Sequence, residues 1–419
     1  MMWQHLPLRV YLLILKAITA LLPLLWPYCL EGPGSARDLV RLLAEAGHRR
    51  VLVVSDAELV RLGLVAPLLE ELERHGVAWA LFDGVTPDPD IGQIEAGLTC
   101  LNSHRAEALL AIGGGSPIDA AKLIGARARN RRPVRRLAGL FRIHRGMPPL
   151  YAIPTTAGTG SETTLAAVVS DPARRRKLAA VDPRLLPRAT ALDPELMVGL
   201  PAHITAATGM DALTHAVEAF LSRNALPRTD RAALQAARET LTQLPRCVAA
   251  GHDLEARLRM ARAAHQAGYA FTQAGVGYIH AIAHQLGAWY HLPHGLANAM
   301  VMPHLLEESL PTIAPRLASL ARHCQVTTST DDGVAAEAFI ARVRRLNADF
   351  GIPERVAALR GEDIPALARA ARAEVRFTYA VPRYLGQAEL ESLLCGLMAQ
   401  PASAGDDIAA TEGDNGRPS

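Results

Sequence analysis

One passage limits the possible folds of this 419-residue chain more than any other. Leu109-Leu-Ala-Ile112 is a short apolar run that passes without a break into Gly113-Gly114-Gly115-Ser116-Pro117, and a helical pattern follows through Lys122. The run has the length and composition of a strand buried on both faces. Pro117 suits the first turn of a helix, where a missing N–H costs nothing. Three glycines between strand and helix let backbone N–H groups approach an anion closely, with the positive end of the helix behind them.

The surrounding sequence repeats the alternation. Val51–Val54 reads as a buried strand ending at Ser55-Asp56, followed by an amphipathic helix to about His75 and a strand over Val77–Phe82. Ala152–Pro154, Ala166–Ser170 and Lys177–Val181 add extended pieces. Such alternation predicts an α/β domain with a parallel sheet and helices on both faces. After Asp193–Pro201 the strand signals fade, and Ala, Leu and Arg recur at helical spacing. The expected organisation is an apolar extension over 1–30, an α/β dinucleotide-binding domain over 31–197, and an all-helical metal-binding domain over 198–399. A polar, disordered tail is expected over 400–419. The cleft between the two domains is the expected binding site.

Several function classes are excluded by composition and charge. The net charge of +3 is small for this length, and the basic run Arg127–Arg145 has no interleaved aromatics, so it reads as a solvated face and not as a nucleic-acid surface. Cys29, Cys100, Cys247, Cys324 and Cys395 are scattered without a C-x-x-C pair, which fits free thiols in a reducing, cytoplasmic setting. Residues 6–30 are strongly apolar, but Lys16 and Pro23 disfavour a spanning helix, and no small-residue cleavage site follows. The stretch reads as a helix packed on its own domain or on a partner subunit, with contact to a membrane surface as the alternative. A homo-oligomer is expected.

The chemistry concentrates further along. Among the histidines, His280, His284, His291 and His294 fall within fifteen residues. His280 and His284 are spaced i,i+4, so on a helix their imidazoles share a face, and Pro293 and Gly295 set His294 in a turn beyond it. Asp211 and His215 repeat the i,i+4 spacing in an apolar stretch. Asp211, His215, His280 and His294 offer one carboxylate and three imidazoles, a set that suits Fe²⁺ or Zn²⁺. His284 is then left for proton transfer. His291 and His304 read as uninvolved.

A cofactor site is expected at the glycine turn. Gly113, Gly114 and Gly115 supply backbone, and Ser116 and Asp119 supply side chains. A second polar loop, Pro154-Thr155-Thr156-Ala-Gly-Thr159-Gly-Ser161-Glu162, offers hydroxyls for phosphate, ribose or amide contacts. Ile118 stands where a G-x-G-x-x-G fingerprint would need its last glycine, and the acidic residue that could hold a ribose, Asp56, precedes the glycines. The turn is therefore a dinucleotide site of a topology different from the common dinucleotide fold, or no dinucleotide site at all.

Taken in order, Gly113–Lys122, Pro154–Glu162, Gly209-Met-Asp-Ala-Leu-Thr-His215 and His280-x3-His284-x9-His294-Gly resemble the iron-containing (group III) alcohol dehydrogenases over about residues 30–398. The resemblance implies a dehydroquinate-synthase-like fold and a metal held by Asp211, His215, His280 and His294. It implies NAD(P) along Gly113–Ser116 and Thr155–Thr159, with Lys177 near the cofactor ribose and Asp56 favouring NAD over NADP. The implied activity is reversible oxidation of a small alcohol to an aldehyde or ketone. The alternatives are a glycerol, polyol or hydroxy-acid dehydrogenase of the same fold, or a catalytically silent NAD- and metal-binding subunit. Two departures stand out: the apolar stretch before Glu31, and Phe377–Leu385, which keeps only Pro382-Arg383 of the family's Asn-Pro-Arg.

Overall fold

The computed structural model describes residues 24–174 and 176–399. Most of the apolar stretch over 6–30 and the tail over 400–419 lie outside the described residues. In the first half, strands β1 (Tyr28–Glu31), β2 (Arg50–Val54), β3 (Ala78–Phe82), β4 (Ala108–Gly113), β5 (Gly139–Leu140), β6 (Leu150–Pro154), β7 (Ala166–Asp171), β8 (Arg176–Val181) and β9 (Ala189–Leu192) alternate with helices. These are α1 (Ser35–Glu45), α2 (Ala57–Arg61), α3 (Ala66–Arg74), α4 (Ile91–His104), α5 (Gly115–Arg129) and α6 (Val134–Leu137). The main sheet is parallel in the order β1-β9-β6-β4-β2-β3, and a three-stranded sheet β5-β8-β7 lies beside it.

The side-chain alternation of β2 and β4 explains why helices cover both faces. Leu52, Val54, Leu109 and Ala111 pack with Ile94 of α4 and Ile118 of α5. Val51, Val53, Leu110 and Ile112 point the other way, onto Leu39 and Leu43 of α1 and Leu72 of α3. β1 lies across the boundary expected at residue 30. Tyr28–Glu31 pairs in parallel with Ala189–Leu192 at the sheet edge, so the sheet begins inside the apolar stretch. Neither β1 (Tyr-Cys-Leu-Glu) nor β9 (Ala-Thr-Ala-Leu) has the run rich in Val, Leu and Ile that marks β2 and β4.

The second half is a helical bundle of α7 (Ala202–Leu221), α8 (Pro227–Ala249), α9 (Leu254–Ala274), α10 (Tyr278–Tyr290), α11 (His294–His323), α12 (Asp332–Asp349), α13 (Ile364–Thr378) and α14 (Gln387–Gly396). One apolar core joins them, built largely from Ala and Leu at helical spacing. The architecture is therefore a β/α nucleotide-binding region followed by an all-α bundle, the dehydroquinate-synthase-like arrangement. Among the described residues no helix is long and apolar enough to cross a membrane.

Backbone contact joins the halves. Gly160 lies on Gly268 of α9 so closely that a Cβ on Gly268 would meet the Gly160 oxygen at 2.8 Å and Thr163 Cγ2 at 2.6 Å. Only glycine permits that approach.

Candidate active site

The two polar loops leave adjacent strands. β4 pairs with β6 with Gly113 opposite Pro154, and Thr155 N–H donates to the Gly113 carbonyl at 3.0 Å. Asp56 follows β2, the other neighbour of β4, and Ser55 Oγ donates to the Ile112 carbonyl at 2.9 Å. Asp56 caps α2, accepting from Leu59 N–H at 2.9 Å. The chain moves outward from β2 to β3 and returns on the opposite side at β4, so these strand ends flank a topological switch point, the usual ligand position in an open parallel sheet.

Opposite them, α7, α10 and α11 bring the metal-ligand candidates together. Among the described residues, Asp211, His215 and His280 place donor atoms within 4.8 Å of one another, and all three are buried. His294, the first residue of α11, stands at the edge of this group, with Nε2 at 3.5 Å from Asp211 Oδ1. Its position depends on Gly295, where a Cβ would lie 2.3 Å from the Ala207 carbonyl oxygen of α7. Asn298 Nδ2 donates to Asp211 Oδ1 at 2.7 Å and reaches His294 Nε2 at 3.2 Å. Phe271 stacks on His215 with ring centroids 4.2 Å apart.

His280 Nδ1 contacts Glu218 Oε2 at 2.6 Å, leaving Nε2 facing Asp211 Oδ1 at 3.8 Å. Glu218 also accepts from Gly277 N–H and Ile279 N–H, both at 2.8 Å. Burial pushes its carboxyl up to about 8, against the pull of these donors. Burial lowers the imidazoles: His280 falls well below the ordinary histidine value, His215 falls as well, and His294 drops to about 4. Three neutral rings therefore surround Asp211 at neutral pH, the form in which imidazole binds a metal.

The donors fit an iron-type ion on a further ground. His280 Nε2 and His215 Nδ1 are buried without a hydrogen-bond partner. Unpaired buried polar atoms each cost about 1–3 kcal/mol, and two of them beside a carboxylate form an arrangement that a cation satisfies. The paired Nδ1 of His280 supplies the outer contact that such ligands usually have.

A cavity of about 390 Å³ connects the histidines to the cofactor side. Of the residues expected there, Gly115, Ser116, Asp119, Thr159 and Lys177 line it, whereas Asp56, Gly113, Gly114, Thr155 and Thr156 do not. Asp211, His215, His280, His284 and His294 all line the same space. Lys177 pairs with Asp88 at 2.7 Å. Asp119 is engaged within the protein, accepting from Ser161 Oγ at 2.5 Å and Val168 N–H at 2.9 Å. It is better placed to hold the second loop than to hold a ligand.

Sequence reasoning missed Lys122, Glu218, Asn298, Glu374 and Tyr379. Glu218 had a signal, because it follows His215 by three residues and Asp211 by seven on one helical face. The loop oxygens that ring Lys122 and the His284 and Gln285 that meet Glu374 gave no local signal, since they lie 39–44 and 89–90 residues away.

A parallel sheet presenting a glycine turn across a cavity from a buried carboxylate–imidazole cluster marks the class of metal-dependent, nucleotide-binding enzymes. The sequence matches "Iron-containing alcohol dehydrogenase" over residues 27–194 and "Fe-containing alcohol dehydrogenase family, C-terminal" over 205–398. The chain belongs to the iron-containing alcohol dehydrogenase family. It is 39% identical over 352 residues to the NAD-dependent methanol dehydrogenase of Bacillus methanolicus, covering 83% of this chain and 92% of that one. It is also 39% identical over 352 residues to the lactaldehyde reductase of Escherichia coli K12, covering 82% and 91%. A crystal structure of a 1,3-propanediol oxidoreductase superposes with a TM-score of 0.86 at 37% identity, covering 90% of this chain and 99% of that one. The protein is a metal-dependent, NAD-linked dehydrogenase acting on an alcohol or aldehyde, with cofactor use of the iron type.

Proposed function

We propose that this dehydrogenase interconverts a small alcohol bearing a second polar group, a diol or hydroxy-alcohol, with its aldehyde. The carrying observation is the single cavity that holds both the Asp211–His215–His280 cluster and the Gly115–Ser116 turn. The same cavity is also lined by the apolar Phe271, which stacks on His215, and Val276, and by the polar Asn224, Thr272 and Gln273, a mixture that suits a compact, partly polar substrate. The relatives that reduce lactaldehyde or act on 1,3-propanediol support a polyol-type substrate over a long-chain one.

Asp211, His215, His280 and His294 would hold the iron, with Zn²⁺ as the other ion this donor set accepts. Gly115, Ser116 and Thr159 would hold the cofactor diphosphate at the start of α5, and Lys177 its ribose. The chemistry supplied by the two groups when bound is Lewis acidity at the substrate oxygen and hydride transfer at the nicotinamide. The residues of the chain orient the alcohol, exclude water, and carry the proton. Phe271 stacks on His215 and holds that ring in place, and His284 takes up the hydroxyl proton.

The test is NAD-linked turnover by iron-loaded protein with 1,2-propanediol, 1,3-propanediol, methanol and 1-butanol. The diols are expected to show the higher kcat/KM; preference for 1-butanol would overturn the substrate class.

A further inference from the structure

His284 and Tyr379 both line the cavity, and both end on the same carboxylate oxygen. His284 Nδ1 lies 2.7 Å from Glu374 Oε1, and Tyr379 Oη donates to that oxygen at 2.9 Å. Gln285 Nε2 donates to Glu374 Oε2 at 3.1 Å. Glu374 sits on α13 and Tyr379 caps its end, while His284 and Gln285 belong to α10, so the cluster ties two helices at the cavity wall.

We propose that Glu374, held by Tyr379, is a positioning residue that keeps His284 in the Nδ1–H tautomer and presents its Nε2 to the substrate. An ionised carboxylate can only accept, so the imidazole nitrogen facing Glu374 must carry the hydrogen. The other nitrogen then has a lone pair, as taking the proton of an alcohol requires. The same division of roles operates wherever a carboxylate backs a histidine base. Tyr379 remains a donor because burial and the neighbouring Glu374 raise its hydroxyl well above the ordinary tyrosine value. Two donors on Oε1 and one on Oε2 leave the carboxylate little freedom to rotate. On its other side the His284 ring stacks on His294, with centroids 5.3 Å apart and planes 16° from parallel. The ring is thus fixed from both directions.

The inference rests on the assignment of His284 to proton transfer, and a double-mutant cycle separates the two. Glu374→Ala in iron-loaded enzyme is expected to lower kcat for diol oxidation about 10- to 100-fold, the usual range for losing such an outer partner. KM for NAD and the metal content should stay within twofold of wild type. In a His284→Ala background the same change should cost nothing further, because Glu374 acts only through that ring. An additive loss would overturn the inference and leave the role of His284 standing. Unchanged kcat in His284→Ala alone would overturn both. Should Glu374→Ala fail to fold, Glu374→Gln keeps the shape and removes the charge, and kcat within twofold of wild type would count against the proposal. Independently of turnover, Zn²⁺-loaded protein with isotope-labelled histidine should show a hydrogen-bonded Nδ1–H resonance. That signal should vanish in both His284→Ala and Glu374→Ala; a His284 protonated at Nε2 instead would overturn the inference.

Discussion

Lys122 and His280 are both buried polar side chains near the same cavity, and they differ in what surrounds them. Lys122 is fully enclosed in the α/β half. Its ammonium, with three hydrogens to donate, is ringed by five oxygens: Ser161 O and Ala166 O at 2.7 Å, Thr164 O at 2.9 Å, Thr164 Oγ1 at 3.0 Å and Ser161 Oγ at 3.1 Å. Burial lowers it to about 8, which leaves it charged at neutral pH. His280, in the helical half, has one nitrogen paired to Glu218 and the other with no partner. A saturated buried charge holds structure, whereas an unsaturated buried donor set invites a ligand. Lys122 therefore ties α5 to the second polar loop, and His280 faces the candidate metal site.

The comparison breaks if removing either residue has the other's consequence. His280→Ala is expected to release the metal and to reduce turnover roughly a thousandfold, since a Lewis acid supplies several kcal/mol of charge stabilisation. Metal analysis beside activity checks this, and retention of full metal content would contradict it. Chelation of the wild-type protein should reproduce the loss, with iron restoring it.

Lys122→Met should instead lower folding stability by about 3 kcal/mol, because buried oxygens lose their common donor. Denaturant unfolding measures this, and metal bound per folded molecule should not change.

The helical half should also show its own pH response. The folded-state values of His280 and His294 lie below the ordinary 6.5, with His294 near 4. At His215, His280 and His294 the unfolded chain then binds protons that the folded chain does not, which favours unfolding as pH falls; Glu218, raised to about 8, opposes this with a single proton, and the three imidazoles outweigh it. Metal-free protein is expected to lose thermal stability progressively from pH 6.5 toward 4; a flat Tm across that window would contradict the assignment.

Smaller effects belong to the joint and the strand ends. Gly268→Ala would push Gly160 and Thr163 away from α9, and is expected to raise KM for NAD severalfold with little change in metal content. Asp56→Ala removes the cap of α2 and should cost about 1 kcal/mol of stability.

Much of this molecule was legible in local spacing. The i,i+4 pairs at Asp211–His215 and His280–His284 reported a shared helical face, and the apolar run into three glycines reported a strand end with a ligand turn. The same spacing did not say which carboxylate meets His280 and which meets His284. One points its free nitrogen at Asp211 and the other its Nδ1 at Glu374, and nothing within four residues of either differs enough to predict that. The glycine turn was legible as a turn, but not which of its residues meet the cavity. Gly115 and Ser116 do, while Gly113 and Gly114 stay in the strand end and its exit.

What the sequence alone determined is periodic or nearest-neighbour: the alternation that demands a covered parallel sheet, the change to an Ala- and Leu-rich bundle, and the supply of one carboxylate and several imidazoles at helical spacing. Those properties follow from backbone geometry repeated every two or 3.6 residues. What only the tertiary structure decided is which donors end unpaired, which carboxylate backs which imidazole, and which loop residues share a cavity with them. Each depends on contacts of about 3 Å between elements far apart in the chain. Such contacts are set by how α7, α10, α11 and α13 pack together, and by how α9 lies against Gly160.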